Sequence, residues 1–185
     1  MTSVLKVDNI QNSSGTSALT IDSNGKVNMP NTVEIDHWRL TSSFNTNAAT
    51  VTGWERNDDA TFSYVGTGMT ESSGVFTFPK TGLYKVTGEF EITCSDADSA
   101  ATLNIMVSSD SGSTYDQRGY AVVRGTTADT DGVGGVSRTT LVNVTDASAF
   151  RYKVETSSFG TGSSLKGNTN YDRTSILFER ITDSQ

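Results

Sequence analysis

A two-sheet β-sandwich is the architecture these 185 residues predict, and three features say so. Ser and Thr together exceed a quarter of the chain, Gly is frequent at 17 residues, and only 34% of residues are hydrophobic. No window carries the 3.6-residue apolar periodicity of a helix. Short alternating apolar and polar stretches instead recur along the chain, separated by clusters of Asn, Asp, Ser and Gly.

Residues 1–30 form a segment of their own. Val4–Ile10 and Ala18–Asp22 alternate, and Lys26-Val27-Asn28-Met29 follows a Ser23-Asn24-Gly25 turn, the segment closing at Met29-Pro30. So small a unit cannot build a core alone. It must pack on its own domain, on two sister copies or on another protein. Leu5, Val7, Ile10, Leu19, Ile21 and Val27 are its apolar positions and the expected attachment surface.

From residue 31 to 185 the chain reads as one β domain. Expected strands are Val33–Leu40, Val51–Trp54, Thr61–Tyr64, Gly74–Phe78, Gly82–Thr93, Ala101–Ser108, Gly119–Val123, Ser137–Val144, Phe150–Glu155 and Thr174–Ile181. Gly132-Val133-Gly134-Gly135 reads as a hairpin tip, lacking the Lys of a phosphate-binding loop. Trp38 and Trp54, flanked by strand residues, are expected in the core. Strands of this number and spacing suggest a jelly roll, the closed form of two packed sheets.

The sharpest pattern lies at Gly74 to Val86. Val75, Phe76 and Phe78 favour a strand, Pro79 ends it, and Gly82 turns the chain into a long strand. There Tyr84, Val86, Phe90 and Ile92 share one face with Gly88, and Lys85, Thr87, Glu89 and Glu91 share the other. The spacing Gly74-x-Phe76-x-x-Pro79-x-x-Gly82-x-Tyr84 resembles the globular head of the complement first component and its relatives, which share the tumour necrosis factor jelly roll. That resemblance implies a homotrimeric display module and not an enzyme. The opening, Leu5-Lys6-Val7-Asp8-Asn9-Ile10 followed by Leu19-Thr20-Ile21-Asp22, is similar to the start of tail-fibre and related structural proteins of bacterial viruses. It is also similar, more loosely, to one repeat of a trimeric fibre shaft. The two resemblances together imply a virion protein: a tail fibre or fibre tip that binds a host glycan or protein, or alternatively a capsid decoration or head fibre.

The terminal strand bears on assembly. Ile176 and Phe178 alternate with Leu177 and Ile181, so both faces are apolar and both should be buried. In the family this domain resembles, that strand turns one face to the core and one to a threefold axis, so the resemblance implies Leu177, Ile181, Leu83 and Thr87 as trimer-interface residues; the N-terminal segment of the same chain is the alternative cover. Aromatic residues in turn-rich segments, Tyr115, Tyr120, Phe159 and Tyr171, are the expected receptor contacts, since aromatic faces stack on sugars and anchor interfaces.

Chemistry is sparse. The formal net charge of −7 and the scattering of 14 Lys and Arg argue against nucleic acid. One Cys, Cys94, excludes an internal disulfide, and one His, His37, excludes a His-rich zinc site. His37, Cys94 and an Asp would be a nucleophilic triad only if the fold joined them. Glu89 and Glu91 are a carboxylate pair on one strand face, the arrangement a glycosidase would need, but the domain is small for a polysaccharide groove and a solvated or inter-subunit strand face is the better reading. No organic cofactor is expected. Calcium is the one metal the loops suggest, through Asp96, Asp98, Asp129 and Asp131, although Thr140 stands where an EF-hand would place its Glu. No apolar run suits a membrane or a signal peptide, so the expectation is synthesis in a host cytoplasm and residence in a virion.

Overall fold

A computed structural model of the chain describes residues 7–15, 17–28, 33–58, 62–125 and 131–185. Leu5, Thr61, Asp129 and the Met29-Pro30 junction lie outside the described residues. The chain divides into two compact units, Met1–Val33 and Glu34–Gln185.

The first unit is an antiparallel meander of β1 (Asn9–Gln11), β2 (Ser17–Ile21) and β3 (Val27–Asn28) in sequential order. Asx-type turns shape its corners. The Asn12 side-chain oxygen accepts from Ser14 N at 3.1 Å, and that of Asp22 accepts from Asn24 N and Lys26 N, each at 2.9 Å.

The second unit is a two-sheet sandwich. Its strands are β4 (Ile35–Leu40), β5 (Trp54–Arg56), β6 (Thr70–Ser72), β7 (Val75–Thr77), β8 (Gly82–Cys94), β9 (Ala101–Ser108), β10 (Asp116–Val123), β11 (Gly132–Val144), β12 (Arg151–Ser157), β13 (Ser164–Leu165) and β14 (Ser175–Thr182). One sheet runs β10-β9-β12-β7-β6, and the other runs β11-β8-β14-β4-β5 with β13 also paired to β8. The crossings between layers give the jelly roll. Thr50 bridges Glu155 of one sheet, and only four residues later Trp54 opens β5 of the other. Trp54 Nε1 donates to Val51 O at 2.8 Å across that corner.

The core lies between the sheets and follows the alternation. Trp38, Leu40, Tyr84, Val86, Phe90, Ile92, Ile176 and Phe178 face inward from one layer; Phe76, Leu103, Ile105, Tyr152 and Val154 face them from the other. Phe76 is its hub. Its ring centroid lies 5.1 Å from that of Phe178, 5.4 Å from Trp38 and 5.9 Å from Trp54. Phe78 packs edge-on to Tyr84 at 4.8 Å, and the Tyr84 hydroxyl donates to Lys80 O at 3.0 Å, closing the Pro79–Gly82 corner. Burial pushes that hydroxyl's pKa up to about 12. The motif is thus a core cluster tied to its own turn.

Two glycines of this region are dictated by space. Gly74 has φ +85°, and a Cβ there would lie 2.3 Å from Val51 O. At Gly88 a Cβ would meet the Phe90 ring at 2.3 Å, so the glycine makes room for the ring on the core face of β8.

Three expectations need correcting. Phe62 to Tyr64 form no strand; Val65 alone bridges Ile35, and the neighbouring strand is β6. The Gly132–Gly135 run is not a hairpin tip: it pairs in register with Cys94–Glu91 as the start of β11. The second strand begins at Trp54 instead of ending there, because Val51 is drawn to the other sheet by its bond from N to Val154 O at 2.9 Å.

Candidate functional site: the outward face of the six-stranded sheet

The residues that alternate with the core face of β8, β14 and β4 make the outward face. Leu177 stands at its middle, opposite Thr87 on β8 and His37 on β4. Phe62 lies against His37, ring centroids 5.5 Å apart, and Ile35 is 36% exposed. These residues, with Ser63, Ser175 and Glu89, line an open groove of about 310 Å³.

Charges surround the groove; Lys85, Arg39 and Arg173 are matched within the chain, whereas Glu89 of the lining has a hydroxyl partner. Lys85 Nζ lies 2.8 Å from Glu179 Oε2, and Arg39 reaches Glu55 at 2.9 Å and Asp58 at 2.8 Å. His37 Nε2 is 3.7 Å from Asp172 Oδ2. Arg173 grips both oxygens of Glu91, Nε to Oε2 at 2.9 Å and Nη2 to Oε1, and holds that carboxyl below its ordinary pKa. Ser137 Oγ donates to Glu89 Oε1 at 2.7 Å. An apolar centre with a polar rim is how protein interfaces are built.

At one end of the sandwich a charged cluster secures residues 62–69. Glu34, 2% exposed, accepts from Thr67 N at 2.8 Å and Gly68 N at 3.0 Å and is ion-paired with Lys80. Asp36, 1% exposed, accepts from Arg56 Nε and Nη2 and from Trp38 Nε1, all at 2.9 Å, and from Met69 N at 2.6 Å. The Arg56 guanidinium lies 4.6 Å from the ring centroids of both Trp38 and Tyr64.

Of the expected trimer residues, Leu177, Thr87 and Leu83 are half-buried on strands β14 and β8. A bulge between Arg180 and Thr182 interrupts the alternation that placed Ile181 beside Leu177, and Ile181 is 54% exposed. Tyr120 and Tyr171 are 53% and 57% exposed. Tyr115 carries Lys153 Nζ 3.8 Å from its ring centroid. Phe159 is not a surface aromatic: it is 3% exposed, in the core. The loop around it is held in, with Phe159 N donating to Asn47 Oδ1 at 2.9 Å and Gly160 N to Asp98 Oδ2 at 2.8 Å.

That use of Asp98 separates it from the other acidic loop residues. Asp96 N donates to Asp131 Oδ1 at 3.3 Å, whereas the Asp98 carboxylate holds Gly160 and Ser163. Among the described residues no group of three or more His, Cys, Asp or Glu side chains is placed to hold a metal ion. The triad fails on geometry. Cys94 is wholly buried on the core side of β8, its thiol pKa raised by burial, while His37 lies on the opposite face of the sheet. Glu91, ionised and gripped by Arg173, is no proton donor near neutral pH.

Ile35, His37 and Phe62 join the groove only because β4 pairs with β14. The apolar Ile35 on the polar side of an alternating strand was the one signal of this in the sequence.

No protein-family model and no curated protein matches the chain. Among solved structures it is similar to Eiger TNF from S. frugiperda, at 13% identity and TM-score 0.63, over 83% of this chain and 96% of that one. It is also similar to murine APRIL crystallised at pH 5.0, at 9% identity and TM-score 0.55, over 80% of this chain and 99% of that one. The pH 8.0 crystal of murine APRIL gives 10% identity and TM-score 0.54 over the same shares. At such identities the likeness carries the fold alone, and the fold is the tumour necrosis factor-type jelly roll.

Proposed function

We propose that this chain is a non-enzymatic structural protein of a bacteriophage virion: a homotrimeric tail-fibre or fibre-tip module, joined to other virion proteins through residues 1–30 and displaying a surface for host glycan or protein. The observation that carries the trimer is the Leu177 groove, apolar at its centre and flanked by Lys85, Arg39 and Arg173, each already paired to an acid of its own chain. A partner copy can cover such a face without stranding those three cations. The virion role is supported by the opening's resemblance to tail-fibre proteins, and host binding by the exposed rings of Tyr120 and Tyr171.

Two measurements test the proposal. Light scattering on the full chain should give three times 19.7 kDa, about 59 kDa, at micromolar concentration; a single-copy mass defeats the trimer. Immunogold labelling of phage particles encoding the chain should decorate the tail. Label on the head transfers the chain to capsid decoration, and unlabelled particles end the virion assignment.

A further inference from the structure

Strand register sorts the side chains of the small meander into two unlike faces. Ile10 stands opposite Leu19 and Ile21 opposite Val27, and Leu19 and Ile21 are two apart on β2, so all four share one face. Asn9 and Thr20, paired with each other, lie on the other. This unit has three strands among its described residues and no second layer of its own, and Ile10 and Val27 remain 47% and 49% exposed.

We propose that this apolar face is closed by the same face of two sister copies, so that the meanders of three chains form one small shared core. The inference rests on the trimer reading above. A lone three-stranded sheet needs its apolar face packed against something. Over a separate protein, sister copies hold the advantage of tethering. Residues 29–33 separate β3 from Glu34, and five residues reach at most about 20 Å. Once three larger units associate, each meander meets its sisters at an effective concentration near the millimolar range, far above that of a separate protein. The four strand positions on this face are uncharged, and Asp8, which continues the ladder opposite Ile21, sets one carboxylate at its margin. A virion partner is then left the polar face and the strand edges.

Single cysteines in the full chain test this, the native Cys94 being buried. Under mild oxidation, Ile10→Cys, Leu19→Cys, Ile21→Cys or Val27→Cys should give disulfide-linked dimers on a non-reducing gel. Asn9→Cys, exposed and adjacent in sequence, should not. In parallel, Ile10→Asp combined with Val27→Asp should raise the concentration at which the trimer half-dissociates by at least about tenfold. Equal linkage from both faces overturns the proposal, as does an unlinked set of apolar-face variants in particles that light scattering still weighs as trimers. In that second case the larger units trimerise and the meander face belongs to something else. A single-copy mass for the wild-type chain removes the trimer reading itself.

Discussion

Asp36 offers the most stringent test of how the sandwich holds its 62–69 segment. The change Asp36→Ala removes an acceptor with four donors around it: both reaching nitrogens of Arg56, the Trp38 indole N–H and the Met69 amide. With the carboxylate gone, the guanidinium loses its counter-charge where its side chain is only 32% exposed, and two largely buried N–H groups lose their acceptor. Breaking one side of a buried ion pair costs about 3–5 kcal/mol. For a domain of this size each kcal/mol lowers Tm by about 2–4 °C, so the drop should be about 6–20 °C. Urea unfolding followed by tryptophan fluorescence suits the test, since Trp38 reports from beside the site. Arg56→Ala should cost a similar amount by leaving Asp36 buried and unpaired. The double change should cost clearly less than the sum, because removing both partners leaves no orphan ion. Additive single effects, or an Asp36→Ala cost below about 1 kcal/mol, would refute the idea that this cluster clamps the segment.

Three further outcomes follow from the geometry. Leu177→Asp should leave circular dichroism unchanged and convert three-copy particles to single copies in sedimentation, since in each of three subunits it replaces the remaining burial of a half-buried Leu, a part of the about 1.5–3 kcal/mol of full burial, with an unpaired charge. Gly88→Ala should cost about 1–3 kcal/mol in urea unfolding, because the new Cβ falls 2.3 Å from the Phe90 ring; trimming that ring with Phe90→Leu should return part of the loss in the double variant. Arg173→Ala should lower stability at neutral pH only slightly, the pair being partly exposed. Because Arg173 depresses the folded pKa of Glu91 below 4.5, the stabilisation is complete above the unfolded value. It fades as pH falls through the folded one, so the wild-type advantage should shrink steadily below about pH 4.5.

How much of this was readable beforehand depended on whether the signal was local. The Gly74–Val86 motif and the alternation of β8 were plain because from Tyr84 to Ile92 the inward positions are apolar or glycine and the outward ones polar. By contrast, β6 was invisible: Thr70-Glu71-Ser72 has no strand pattern and is extended only because β7 folds back on it beyond Ser73 and Gly74, both at positive φ. The start of β11 was misread for the converse reason. Gly132 to Val136 looks like a turn, yet the 13-residue β8 offers a continuous edge, and pairing with it outweighs weak propensity. Phe159 sat among turn residues, but a remote carboxylate, Asp98, holds its loop inward, and no spacing in the chain announces that bond. The groove was half legible. Leu177 and Thr87 were evident from alternation, whereas His37 and Phe62 depended on which strand lay beside β14.

Salt separates the apolar interface from an ionic one. Each chain carries a formal charge of −7, so a trimer gathers three times −7, or −21. On the outward face Lys85, Arg39 and Arg173 are each matched by an acid of their own chain, so these three cations are already satisfied before a neighbour approaches. The unbalanced charge therefore opposes association over long range, while burial around Leu177 favours it at contact. Raising ionic strength from 0.01 M to 0.1 M shortens the screening length from about 30 Å to about 10 Å, which weakens the repulsion and leaves the apolar contact in place. The concentration needed to hold the trimer should therefore fall as salt rises, read by sedimentation velocity across a dilution series. A trimer that dissociates on adding salt would mean that ion pairs between copies hold it, and that the Leu177 groove is not its core.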